Sequence, residues 1–184
     1  MIGGMEREVG RTGPGRPRRS GVSHQVLIAT RELISERGYA GASVDQIATT
    51  AGVAKTTVYR RWPTKTELAV AALVDALGDL PEPRSLDDAV RWLADRVRDR
   101  QVHRLLTGLS AESVHDDGLR TELRRRLRDP YVAALGAQWQ SSPEAATLAF
   151  DLVVGTLLQR ATMTGSVDDE SVADVAALAA RVLR

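Results

Sequence analysis

The chain of 184 residues contains no cysteine, which excludes disulfide bonds and thiolate metal sites. No apolar run approaches the roughly 18 residues that a membrane-spanning helix needs. The basic N-terminus is not followed by the apolar stretch of a signal peptide. With 43% hydrophobic and 27% charged residues, the composition is that of a globular protein. We therefore expect a cytoplasmic protein with no membrane partner.

Motifs of the common enzyme classes are also missing. There is no P-loop, no H-E-x-x-H and no dinucleotide fingerprint. Ser110 lies in GLSAE, which lacks the second glycine of a nucleophile elbow. His24, His103 and His115 do not have the spacing of metal ligands. We expect no catalytic residues, no metal and no cofactor, although an all-helical enzyme is a conceivable alternative.

The net charge of +1 is unevenly distributed along the chain. Residues 1–65 carry 11 Lys or Arg against 5 Asp or Glu, whereas residues 66–184 carry 14 against 19. This asymmetry is typical of a chain whose N-terminal part binds a polyanion. Ordinary solvated surfaces give the same asymmetry by chance, so charge alone leaves both interpretations open.

The spacing of apolar residues predicts helices and almost no strands. A stripe over residues 23–37 predicts a first helix that Gly38 ends. Ser43 with Gln46 predicts a capping box for a short second helix, which Gly52 breaks before a third helix over residues 55–61. Two short helices joined by a tight turn after a longer one are the parts of a helix-turn-helix, although an ordinary pair of helices has the same pattern.

The third helix carries short polar side chains that could reach base edges and phosphates in a major groove. The only two lysines, Lys55 and Lys65, stand at the first turns of predicted helices, where the helix dipole disfavours a cation by about 0.3–1 kcal/mol. An arriving phosphate would reverse that preference. Two solvated side chains at a small energetic cost are the alternative.

Residues 29–71, ATRELISERGYAGASVDQIATTAGVAKTTVYRRWPTKTELAVA, resemble the DNA-binding domain of TetR-family transcriptional regulators. The match includes S-V-x-x-I-A-x-x-A-G-V and K-x-T-V-Y-x-x-W-P-x-K-x-x-L. Two departures are Ala54, where the family often has a capping serine, and the Arg60-Arg61 pair in place of commoner histidines. The residues expected at double-stranded DNA are Arg16, Arg18, Arg19, Ser43, Lys55, Thr56, Thr57, Tyr59, Arg60 and Lys65.

The stretch GPGRPRRS, residues 13–20, has nothing apolar to bury. Gly15-Arg16-Pro17 is the core of an AT-hook-like element, which places arginine in a narrow A·T minor groove. The basic residue that usually precedes the glycine is replaced by Pro14, so the match is partial. A disordered tail that attracts DNA diffusely is the alternative.

In the C-terminal half, Ser142-Pro143 predicts the start of a helix that is apolar nearly all round as far as Thr164. The last helix is predicted over about 168–183. The resemblance implies that these two helices build a homodimer, and packing inside one protomer is the alternative. The expected interface residues are Phe150, Val153, Val154, Leu157, Leu158, Val175, Leu178 and Val182.

The resemblance also implies a cavity for an unknown small apolar or amphipathic effector. The larger residues that could line it are Trp92, Leu105, Leu109, Tyr131 and Phe150, and core packing is the simpler role for each.

The overall expectation is an all-α fold of about nine helices. A flexible basic arm at 1–22 precedes a three-helix helix-turn-helix domain at 23–66 and a ligand-binding and dimerisation domain at 67–184. The expected function is that of a ligand-responsive regulator, a repressor that its effector releases from a palindromic operator. An architectural DNA-binding protein that senses no ligand is the alternative.

Overall fold

The computed structural model describes residues 18–79 and 85–184, and every regular element in those two ranges is helical. The helices are α1 Arg18–Gly41, α2 Val44–Thr50, α3 Lys55–Tyr59, α4 Lys65–Leu77, α5 Leu86–Arg98, α6 Arg100–Glu112, α7 Asp117–Leu123, α8 Asp129–Trp139, α9 Pro143–Thr164 and α10 Asp169–Val182. A π-helical turn, Arg124–Arg128, joins α7 to α8 without a break. If these three segments are counted as one bent helix, the described residues form nine helices, and the expected all-α fold is confirmed.

Side-chain caps fix where most of the helices begin. Ser43, Thr64, Ser85 and Ser142 each accept a hydrogen bond from the backbone N–H three residues later. At Ser43 the Gln46 side chain also accepts from the Ser43 backbone N–H, which completes the predicted capping box. The sequence therefore predicted the starts of α2 and α9 to the residue.

The boundaries of α1 differ from the prediction at both ends. The helix begins at Arg18, five residues before the apolar stripe. Gly38, with φ of 73° and ψ of 168°, interrupts the helical geometry, and helical residues continue to Gly41. A φ of this sign is reached most readily by glycine, so Gly38 redirects the chain where a C-cap was expected.

The helical stretch from Asp117 to Trp139 is interrupted just before Pro130. The Asp129 backbone N–H donates to the Arg124 carbonyl, five residues back, which is a π-helical bond. Pro130 has no N–H to donate, and in an α-helix its ring would meet the Arg126 carbonyl four residues back. The wider π-helical turn accommodates the proline and lets the helix continue.

The buried side chains form two clusters. The first joins α1–α4 to α6 and α7, including Leu68 of α4 and Leu105 and Leu109 of α6. The second joins α5, α9 and α10. Leu106 of α6 packs against both clusters. The helix-turn-helix therefore shares its core with α4, α6 and α7, and the hydrophobic core does not divide at residue 66.

Candidate nucleic-acid interface and ligand cavity

The five-residue helix α3 is held against the rest of the chain mainly by one side chain. Val58 has no exposed surface and is the only buried residue of the helix. The turn before it is closed by Gly52, with φ of 66°, and by a bond of 3.0 Å from the Val53 N–H to the Ala48 carbonyl. The opposite face of α3 is left open to solvent, with Thr56 exposed and Tyr59 41% exposed. This is a geometry in which a short helix can enter a groove.

Lys55, at the start of α3, has an anionic partner within the chain. Its Nζ lies 2.8 Å from the Asp45 carboxylate on α2 and 5.7 Å from the centroid of the Tyr59 ring. The hydrogen bond to Asp45 raises the pKa of Lys55. The ion pair accounts for a lysine at this helix start without a phosphate, and it ties α2 to α3. Asp45 was missed by the sequence reasoning, because its ten-residue separation from Lys55 is not a helical spacing.

Lys65, at the start of α4, is packed against an aromatic ring. Its Nζ lies 4.3 Å from the centroid of Tyr39 and 3.4 Å from the Ala40 carbonyl oxygen, to which it donates. Burial lowers the pKa of Lys65, and the nearby carboxylates of Glu112 and Asp116 oppose that shift. The half-buried ammonium is thus held at a defined position beside α1.

The Tyr39 hydroxyl shares a hydrogen bond of 2.9 Å with the Thr66 hydroxyl. Burial, the larger effect, raises the pKa of Tyr39, although the bond to Thr66 opposes it. Tyr39 and Lys65 therefore connect the end of α1 to the start of α4. The signal for this contact in the sequence was the Gly38-Tyr39 pair, because Gly38 redirects the chain directly before Tyr39.

The remaining residues predicted to face DNA differ in how available they are. Arg60 is exposed, whereas Thr57 is half-buried. Ser43 is exposed, but its hydroxyl is occupied by hydrogen bonds with Gln46. Arg18 and Arg19 belong to the first turn of α1, so this part of the expected arm is helical. Arg16 lies outside the described residues.

A cavity of about 300 Å³ lies between α4, α5, α6, the α7–α8 helix and α9. Three of the expected lining residues form a row along it: Trp92 and Tyr131 have ring centroids 6.2 Å apart, and Tyr131 and Phe150 have centroids 6.4 Å apart. Leu105 and Leu109 do not line the cavity. They are fully buried beneath the helix-turn-helix, because the face of α6 that carries them points to α1.

Polar groups also line the cavity. They are Ser110, Ser113, Arg120, Arg124, Arg128, Tyr131 and Gln138. Burial, and to a smaller extent the Asp79 carboxylate, raises the pKa of Tyr131, so its hydroxyl stays protonated at neutral pH. The cavity is therefore mainly apolar with a small number of hydrogen-bond donors, as ligand sites commonly are.

The residues expected in a dimer interface differ in how much of their surface the protomer leaves exposed. Val153, Leu157 and Val175 are buried in the protomer's own second cluster and have almost no surface left for a partner. Phe150, Val154 and Leu158 line the cavity. Val182 is half-buried, and Leu178 is 48% exposed. The apolar residues of α9 thus fall into three groups, which are buried in the core, line the cavity or are exposed to solvent. The spacing of apolar residues in the sequence does not separate these groups.

The outward face of α9 carries the apolar side chains that the interface prediction omitted. Leu148 is 56% exposed and Met163 is 71% exposed. They follow an i, i+4, i+7, i+11, i+15 stripe with Leu152, Gly155 and Gln159, so all of them lie on one face of the helix.

Across residues 18–79 and 85–184, no helix is long and apolar enough to cross a membrane.

The family model described as "Bacterial regulatory proteins, tetR family" matches residues 26–72. An uncharacterized HTH-type transcriptional regulator of Mycobacterium tuberculosis, Rv1556, is 41% identical over 59 residues, which are 32% of this chain and 29% of that protein's own length. The DNA-binding transcriptional repressor TetR of Mycobacteroides abscessus is 29% identical over 162 residues, 80% of this chain and 85% of that protein.

Solved structures share the fold over nearly the whole chain. The multidrug binding protein EbrR, complexed with imidazole, superposes with a TM-score of 0.66 at 21% identity and covers 88% of this chain and 94% of that one. The family match lies on the helix-turn-helix, and the shared fold extends through the helices that enclose the cavity. Residues 26–72, which form the helix-turn-helix region, are therefore a DNA-binding region of the type found in the TetR family of bacterial regulatory proteins.

Proposed function

We propose that this protein is a transcriptional regulator that binds a palindromic operator in double-stranded DNA as a homodimer. A small apolar or amphipathic effector would release it, which makes it a repressor. The observation that carries the proposal is that α4 contacts both functional regions. Leu73 and Leu77 of α4 line the cavity, and Lys65 and Thr66 at the other end of the same helix contact Tyr39 beside the helix-turn-helix.

On the DNA side, α3 offers Thr56, Tyr59 and Arg60 to a major groove. Five residues of helix contact too few bases to define one site in a genome. Two copies related by a two-fold axis would read a palindrome whose half-sites are about one helical turn apart. Thr56 is the side chain we assign to base contact, and Tyr59 and Lys65 are assigned to phosphates.

The exposed stripe of α9 supports the dimer, together with Leu178 on the neighbouring helix α10. Contiguous apolar surface of this kind marks a contact site in soluble proteins. We propose that α9 and α10 pack on their symmetry mates in a four-helix arrangement, with Leu148, Leu152 and Leu178 at its centre. Of the interface residues predicted from the sequence, this proposal keeps Leu178 and adds Leu148 and Leu152 on the outward face of α9.

The position of the cavity supports an effector function, because residues of α4 form part of its apolar lining. A ligand shifts a conformational equilibrium only by its differential affinity for the two states. A ligand that needs more room beside Leu73 and Leu77 would displace α4, and Lys65 and Tyr39 would transmit that movement to the recognition helix. The similar structure EbrR is described as a multidrug binding protein, and we propose a comparable use of the cavity here.

The dimer is tested with Leu148→Asp, because a carboxylate buried in an apolar interface is strongly unfavourable. Val114→Asp is a matched control, since Val114 is also exposed but lies at the end of α6, away from α9 and α10. Sedimentation velocity should show a dimer for the wild type and the control and a monomer for Leu148→Asp. A dimeric Leu148→Asp would exclude the stripe as the interface.

The regulator is tested by selecting binding sites from random DNA and then titrating a panel of apolar compounds onto the complex. We expect a two-fold-symmetric consensus and at least one compound that dissociates the DNA. Val154→Trp, which fills the cavity from α9, should abolish release by that compound while the protein still binds its site. Symmetric binding that no compound relieves would favour an architectural DNA-binding protein, and an asymmetric consensus would contradict the dimeric regulator.

A further inference from the structure

The charged side chains that line the cavity all have the same sign. Arg120, Arg124 and Arg128 line it, and no Asp or Glu of residues 18–79 or 85–184 does so. The other polar groups of the lining are hydroxyls and one amide, all of which can donate a hydrogen bond. The cavity therefore combines an apolar body with a cationic, donor-rich end.

Two of the three arginines already have carboxylate partners. Arg120 pairs with Asp117, three residues before it. Arg128 reaches the Asp151 carboxylate on α9 at 3.0 Å. Arg124 forms no ion pair with any described residue, so within that part of the chain it is the cavity arginine whose charge is not compensated.

The π-helical turn positions this charge. It begins at Arg124, and Arg124, Leu127 and Arg128 all line the cavity. Arg125, in the same turn, is directed away, because its guanidinium forms two hydrogen bonds with the Glu122 carboxylate. The turn thus sorts consecutive arginines into one that pairs within the protein and one that faces the cavity. Turns of this kind are frequent at functional sites.

The apolar part of the lining includes a row of three aromatic side chains, Trp92, Tyr131 and Phe150. Aromatic rings at 6.2 and 6.4 Å spacing present a large apolar surface that packs well against flat ligands. The Tyr131 hydroxyl adds a hydrogen-bond donor to the same lining. A volume of about 300 Å³ is at the small end for ligand sites.

We propose that the effector is a small amphipathic organic acid with a ring-containing body, and that its carboxylate pairs with Arg124. The inference rests on the proposed effector function and specifies its ligand. An organic cation would place its charge beside uncompensated arginine, and a neutral analogue would forfeit the charge-assisted hydrogen bonds. The ring-containing body would lie along Trp92, Tyr131 and Phe150.

The test compares matched acids and amides on the full-length protein. Benzoic acid, 2-naphthoic acid and 3-phenylpropionic acid, each with its primary amide, are titrated by isothermal titration calorimetry. Each pair shares a body and differs in charge. We expect at least one acid to bind about tenfold more tightly than its amide, which is the ratio typical of one charge-assisted hydrogen bond to a partly exposed guanidinium.

The variant Arg124→Gln should reduce that preference to less than about twofold while the amide affinity changes little. Arg104→Gln is the matched control, because Arg104 is an exposed arginine of α6 that does not line the cavity. Thermal unfolding of both variants, compared with the wild type, establishes that they are folded.

Three results would overturn the inference, and they differ in what else they affect. If the amides bind as tightly as the acids, or if Arg124→Gln keeps the acid preference, the ligand class is wrong but a ligand-responsive regulator still stands. If acids bind tightly and fail to release DNA, the cavity binds acids but the effector function fails. If none of the six compounds binds at millimolar concentration, both the ligand class and a sensor cavity of this kind are contradicted.

Discussion

Ala54→Ser should stabilise the recognition helix, because α3 lacks a side-chain cap at its start, whereas the neighbouring helices α2 and α4 each have one. Ala54 has φ of −70° and ψ of 141°, and no side chain accepts from the first turn of α3. Ser142 caps α9 with almost the same backbone geometry, φ of −65° and ψ of 155°, and its hydroxyl accepts from the Ala145 N–H at 3.2 Å. A serine at position 54 can therefore accept from the Thr57 N–H without a backbone change.

The size of the effect follows from the usual energy of such a cap. Exchanging alanine for serine at an N-cap is worth about 1 kcal/mol, within a range of roughly 0.5–2 kcal/mol. For a chain of this length, 1 kcal/mol corresponds to a shift in melting temperature of about 2–4 °C. Ala54 is exposed, so the new hydroxyl displaces no packed atom and adds no strain.

The matched control is Ser43→Ala, which removes the existing cap of α2, the helix directly before α3. Because Ser43 has a complete capping box with Gln46, its loss should cost at least as much as Ala54→Ser gains. Urea unfolding followed by far-UV circular dichroism gives both free energies, and amide hydrogen exchange at Thr57 and Val58 shows whether the gain is located in α3.

If Ala54→Ser leaves the free energy of unfolding and the exchange of those amides unchanged, while Ser43→Ala is destabilising, then α3 does not begin at Lys55 in solution. That outcome would refute the account of how the recognition helix is held. A gain in stability with no change in α3 exchange would show that the serine acts elsewhere.

Three further changes should separate the parts of the molecule. Lys65→Ala should weaken binding to all DNA sequences and lower the slope of log affinity against log salt concentration by about 0.9, for one lost phosphate contact. Thr56→Ala should instead change the preferred bases. A salt titration tests the first change and a site selection tests the second. Leu105→Ala should cost about 2–5 kcal/mol in unfolding free energy but leave ligand affinity unchanged, because Leu105 is fully buried and does not line the cavity. Hydrogen bonds from the Ser171 hydroxyl and backbone N–H lower the pKa of Asp168. The contribution of Asp168 to stability is therefore present above the ordinary aspartate pKa and is lost as pH falls through the lowered value. Acid unfolding of Asp168→Asn should lack that pH dependence.

Local signals predicted the helix starts well, because capping is decided within three or four residues. Ser43, Thr64 and Ser142 each make the backbone hydrogen bond that their spacing indicated. The helix-turn-helix was recognisable for the same reason, since its turn at Gly52 and its buried Val58 lie within one short stretch. The arginine that faces the cavity could not be found in this way, because the orientation of Arg124 depends on a π-helical turn.

The interface residues could not be separated from core and cavity residues by sequence, for a different physical reason. A helix that is apolar all round must be covered on every side, but the sequence does not say what covers each side. In α9 the positions Ala146, Ala149, Val153 and Leu157 repeat every three or four residues and are buried in the second cluster, and Ala149 and Val153 also border the cavity. A second face lines the cavity, and a third is left exposed.

Leu157→Asp would therefore test the wrong property. Leu157 has no exposed surface within one protomer, so a carboxylate there would unfold the second cluster whether or not the protein is a dimer. Loss of the dimer after that change would carry no information about the interface. Leu148 is the informative position, since it is more than half exposed in the protomer and its substitution removes nothing from the core. In a helix of this kind the residues best suited to define an interface are those that the isolated protomer leaves unburied, because only they gain burial when the partner binds.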